Sequence, residues 1–171
     1  MKRENPDKKY EDVKVEVLLI GKSANSNIIS LDDLQNLISG INGLSKYLIK
    51  QKLGKGTKSR FGKEMQEICS LGLMNIKKGS ALLELNAFPH GQQKLDSQIN
   101  VRSIMQEMVR TIDELDGNKV IPLEVAHYLD NLTKPLNRKE ANLEVSIFSD
   151  GNLITKTRKL TITSREKVQS I

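Results

Sequence analysis
The chain has no tryptophan, three tyrosines and three phenylalanines, so aromatics make up 4% of its 171 residues. That scarcity argues against a single-strand nucleic-acid platform, which stacks successive bases on aromatic rings. There is one cysteine, Cys69, so no internal disulfide forms; this fits a reducing, cytoplasmic setting. The only histidines are His90 and His127, and with Cys69 they do not fall at zinc-ligand spacing. No apolar run approaches the roughly 18 residues of a membrane span; the longest, Val17–Leu18–Leu19–Ile20, is strand-sized. The charged opening, Met1 to Lys9, has no apolar stretch of the kind a signal peptide carries. HExxH, the nucleophile elbow Gly-x-Ser-x-Gly and the nuclease pattern ending in Glu-x-Lys are all missing, since Glu84–Leu85–Asn86 has no lysine. These absences point away from an enzyme and give no reason to expect a cofactor, a metal or a membrane partner.

What the chain does have is charge, 28% of its residues, against 37% apolar, with a net charge of +6. This is the composition of a folded, polar protein whose length allows one core without staples. The positive excess is concentrated. Nine basic residues lie between Lys46 and Lys78 against two acidic ones, so the remainder is near neutral. A charged partner would meet this stretch.

Periodicity supplies the elements. Val13, Val15, Val17 and Leu19 alternate with Lys14 and Glu16, and then both faces turn apolar, as in a central strand. Ser30 is a good N-cap for a helix from about 31 to 52, with Asp32 and Asp33 in its first turn and Leu31, Leu34, Leu37, Ile38, Ile41, Leu44, Leu48 and Ile49 at helical spacing. Strands follow at Leu71–Ile76 and Ser80–Phe88. Val101, Ile104, Met105, Met108, Val109, Ile112 and Leu115 then form one apolar helical stripe, ended by Gly117. Pro122 opens a shorter helix whose Leu123, Ala126, Leu129 and Leu132 are expected to pack. Leu143, Val145 and Ile147 alternate toward Asp150–Gly151, the strongest hairpin signal in the chain. The returning strand, Leu153 to Thr163, has awkward parity that predicts a bulge or a strand outrunning its partner. Ser164 reads as an N-cap, with a helix beginning at Arg165.

The order β-α-β-β-α-α-β-β predicts an α+β fold: helices packed on a mainly antiparallel sheet of about five strands. The first strand, helix and second strand also admit a crossover unit, which would make the sheet mixed. The organisation expected is a charged leader over 1–11, one domain over 12–163, and over 164–171 the start of a C-terminal helix or a linker cut from a longer chain.

Each candidate site competes with a plainer reading. Gly21–Lys22–Ser23 follows a strand but lacks the upstream glycine of a phosphate loop, since Glu16 occupies that position. Gly40–Ile41–Asn42–Gly43 has the spacing of the loop that clamps nucleic-acid backbone in KH modules, yet apolar periodicity runs through it, favouring a helix with close-packed glycines. Cys69 has no motif around it and reads as a small buried hydrophobe, not as a nucleophile paired with histidine. Met105 and Met108 read as core, with an adaptable partner groove as the alternative. The candidate anion- or nucleic-acid-binding residues are Lys55, Lys58, Arg60 and Lys63 in a glycine-punctuated loop, and Lys156, Arg158 and Lys159 on the returning strand. The leading functional expectation is a non-catalytic protein–protein interaction module, self-association included. Nucleic-acid binding through these two basic groups is the alternative.

Overall fold
The computed structural model describes residues 13–20, 30–53, 70–77, 81–88, 101–117, 119–137 and 141–171. Among the described residues five strands, β1 (Val13–Ile20), β2 (Ser70–Lys77), β3 (Ala81–Phe88), β4 (Asn142–Ser149) and β5 (Asn152–Lys156), form one sheet in the order β2-β3-β1-β4-β5. Every pairing is antiparallel. The mixed sheet is therefore corrected: β1 pairs with β3 and β4, never with β2, so the chain between β1 and β2 is not a crossover between neighbours. The α+β class and the element order are as expected.

β1 lies at the centre because both its edges meet apolar partners in register. Val15 faces Leu85 on one side and Ile147 on the other. Val13, Val15, Val17, Leu85, Leu143, Val145 and Ile147 are buried on the face that the helices cover. Lys14 and Glu16 alternate to the opposite face, where Lys14 pairs with Glu16 at 3.4 Å and stands 5.5 Å from the Phe148 ring centre.

Among the described residues there are four helices, α1 (Leu31–Leu53), α2 (Val101–Asp113), α3 (Leu123–Thr133) and α4 (Ile162–Gln169), with a 3₁₀ turn, Glu114–Asp116, after α2. Helix α2 packs against β1, β4 and β5, α1 against α2 and α3, and α4 against α3 and the 3₁₀ turn. Ser30 caps α1 as expected, its Oγ accepting from the Asp33 N–H at 3.0 Å. All seven members of the Val101–Leu115 stripe are buried, so Met105 and Met108 are core and not a groove. Two apolar expectations are corrected. Leu31 and Leu123 are each 81% exposed, because each stands at the first residue of its helix, ahead of the buried stripe.

Gly40–Gly43 lies inside α1, which removes the clamp-loop reading. A Cβ on Gly40 would stand 2.9 Å from the Leu132 Cβ and N, and one on Gly43 would land inside the Tyr128 ring. The glycines let α1 and α3 approach closely, in opposite directions, since Gly40 meets Leu132 and Gly43 meets Tyr128.

Asp150 and Gly151 both take positive φ, 50° and 82°, so the hairpin turn is the primed type that matches strand twist. The awkward parity of the returning strand resolves as a bulge. Ile147 faces Thr155 while Phe148 faces Leu153, leaving Ile154 as the extra residue. Beyond Lys156 the ladder continues by other means. The Thr157 N–H donates to the Val145 carbonyl at 2.8 Å, and the Val145 N–H donates to Thr157 Oγ1 at 3.0 Å. Leu160 then makes an isolated bridge to Leu143. Helix α4 begins three residues earlier than expected. Thr161, not Ser164, is its N-cap, and Ser164 is the reciprocal member of the capping box.

Candidate functional site
Helix α3 meets α1 on one flank and α4 on another. Its buried stripe is Val125, Leu129 and Leu132, at offsets of 0, 4 and 7, continued by Leu136 beyond the helix. Leu123 lies off this stripe and points to solvent. Arg165, on α4, reaches back to α3: its guanidinium donates to Asp130 Oδ1 at 2.5 Å and to the Asp130 carbonyl at 2.8 Å. A second pair, Lys167 with Asp116 at 3.6 Å, ties α4 to the 3₁₀ turn. The only buried apolar side chain of α4 is Val168.

Above that single anchor the two helices border a shallow, open trough lined by Leu123, Glu124, Ala126, His127, Asp130, Val168, Gln169 and Ile171. The floor is formed by Ala126 and Val168, and the rim exposes Leu123 and Ile171, the latter by 53%. Two carboxylates border it. Asp130 is held by Arg165 and, at 3.9 Å, by Lys134. Among the described residues Glu124 forms no ion pair, and it accepts from the Tyr128 hydroxyl at 3.4 Å. Burial, first, and the Glu124 carboxylate, second, push the Tyr128 hydroxyl above its ordinary value of 10.0. His127 is exposed on the rim, its ring 5.7 Å from that of Tyr128.

None of the trough residues was singled out as a site from the sequence. The available signal was the phase of α3: Val125 fits the Leu129–Leu132 stripe and Leu123 does not. The contribution of α4 comes from some forty residues further along the chain, beyond the reach of local periodicity.

Of the sequence-predicted residues, Lys156, Arg158 and Lys159 stand together and exposed at the β5 edge of the sheet. Lys55, Lys58, Arg60 and Lys63 lie outside the described residues, as do Cys69, His90 and Gly21–Lys22–Ser23. Glu84 sits opposite Glu16 in the β1–β3 register. Among the described residues no group of three or more His, Cys, Asp or Glu side chains is arranged to hold a metal ion, and no helix is long and apolar enough to cross a membrane.

Compared with known proteins, the chain matches no family model, no curated protein and no solved structure.

Proposed function
We propose that this protein is a non-catalytic protein–protein interaction module whose docking surface is the α3–α4 trough. The observation that carries the reading is the exposure of Leu123 and Ile171 at the mouth of a trough floored by Ala126 and Val168. Large apolar side chains at the rim of a partly apolar depression support the reading, because covering them removes apolar surface from water. A furrow between two helices suits a third helix laid along it, with apolar residues recurring at three- and four-residue spacing. Glu124, which forms no ion pair among the described residues, favours a partner helix with a lysine or arginine beside its apolar stripe.

The test compares the wild-type chain with a Leu123→Glu/Ile171→Glu variant as bait in affinity capture. Both changes are at exposed positions, so melting temperatures should agree within a few degrees. The reading expects a partner retained by the wild type and lost by the variant, and an isolated helical segment of that partner that competes for binding. An identical set of captured proteins would overturn it. Sedimentation of the wild type alone identifies the case in which the partner is a second copy.

A further inference from the structure
We infer that the segment Lys156–Lys159, at the open edge of the sheet, binds the phosphodiester backbone of nucleic acid. The inference is independent of the trough and uses none of its residues.

The first argument is the way the segment is held. After Lys156 the chain leaves regular strand geometry, yet its path is pinned. The Thr157 N–H donates to the Val145 carbonyl at 2.8 Å, the Arg158 N–H to Asp113 Oδ1 at 3.0 Å, and the Leu160 N–H to the Leu143 carbonyl at 2.8 Å. The backbone that carries the three cations is therefore ordered before any ligand arrives, which lowers the entropy cost of binding.

The second argument is the charge left over. Lys14, Arg110, Lys119, Lys134, Arg165 and Lys167 each have a carboxylate within 4 Å. Lys156, Arg158 and Lys159 are exposed and form no ion pair with any carboxylate among the described residues. The nearby carboxylate of Asp113 is engaged by a main-chain N–H, so it orients the segment without pairing with any of the three side chains.

The third argument is spacing. The three cations fall within four consecutive residues, so they span at most roughly 10 Å at about 3.3–3.6 Å per residue. That layout suits a line of phosphates better than one convergent anion. The run Asn152–Leu160 contains no aromatic residue, so no base is stacked there and the contact reads charge without sequence. The same lack of aromatic anchors disfavours an anionic membrane surface.

Three phosphate contacts set the size of the effect. The logarithm of the binding constant should fall against the logarithm of salt with a slope of about −2 on single strands and about −2.7 on duplex. Between 50 and 200 mM salt that is a loss of roughly 15- to 40-fold.

The experiment is fluorescence anisotropy of labelled mixed-sequence single-stranded and duplex DNA, titrated with the full chain at these two salt concentrations. Micromolar binding at 50 mM salt with this salt loss is expected. A Lys156→Glu/Arg158→Glu/Lys159→Glu variant with unchanged melting temperature should show no binding. A Lys46→Glu/Lys52→Glu/Lys119→Glu variant, matched in net charge, should retain most of it. No binding by the wild type at 50 mM overturns the inference. So does equal loss in both variants, or loss only when Lys55, Lys58 and Arg60 are reversed instead. Binding to phosphatidylserine vesicles without binding to DNA also overturns it, in favour of a lipid surface. The Leu123→Glu/Ile171→Glu variant should bind DNA as the wild type does, so this site and the trough can fail separately.

Discussion
Along its α1 flank, α3 comes so close that Gly40 has no room for a methyl group beside the Leu132 backbone. Along its α4 flank, the same helix is held by an Arg165–Asp130 pair and by one buried apolar side chain, Val168, and the space above them is open. The first contact excludes water and depends on shape. The second depends on charge, which salt and substitution weaken readily. A helix with one closed flank and one loosely covered flank is a rigid support carrying an accessible surface. The docking proposed above therefore falls on the accessible α3–α4 side and not on the closed glycine seam.

The largest effect should come from closing the space at the seam. Gly40→Ala gains about 1 kcal/mol of helix propensity but must push α3 outward, since Leu132 N and Cα both lie within 3.0 Å of the new methyl. We expect a net loss of about 1–2 kcal/mol, read as a melting point lower by roughly 3–8 °C. Gly43→Ala should cost less, because its obstacle is the half-buried Tyr128 ring, which can turn away. A stabilised Gly40→Ala chain would contradict the close seam.

Next in size is Arg165→Met, which keeps length but removes the guanidinium. Asp130 is partly exposed, so its loss of a partner is cushioned by water, and a cost of about 1 kcal/mol is expected. The sharper readout is amide hydrogen exchange. Protection in α4 should fall well before protection in α1, both in this variant and in wild type at high salt. Equal loss across the two helices would mean that α4 is not separately held.

The smallest effect concerns Tyr128. Its folded-state pKa is raised, so the unfolded chain ionises first and binds fewer protons. The stability this contributes is fully present below about pH 10 and is lost as pH rises through the raised value. Tyr128→Phe should therefore flatten the alkaline fall in stability while changing little at pH 7. A denaturant midpoint measured from pH 8 to 11 in both chains checks the sign.

Much of this arrangement was legible in the residues themselves. The alternation of Val13, Val15 and Val17 marked the central strand, the Val101–Leu115 stripe marked α2, and Asp150–Gly151 marked the hairpin, because each is a local periodicity or a local backbone demand. The bulge at Ile154 was signalled by conflicting parity. The trough was not legible, since it joins Leu123 to Ile171 and arises from packing between distant segments. The start of α4 is not fixed by local sequence, because Ser164 and Thr161 are both competent caps and only the pairing of their side chains decides between them. The basic strand residues were found by composition alone. That they lack ion partners among the described residues depends on where the acids fall in three dimensions.

Thr157 carries a further consequence. Where β5 ends, its hydroxyl supplies the acceptor that a main-chain carbonyl would supply in a regular strand. The requirement at this position is therefore chemical and not volumetric. Valine has the same shape but would leave the Val145 amide without an acceptor. Among sequences drifting under selection, Thr157 should exchange with serine before it exchanges with any apolar residue of its own size. The basic residues beside it are free to vary one by one without disturbing the sheet.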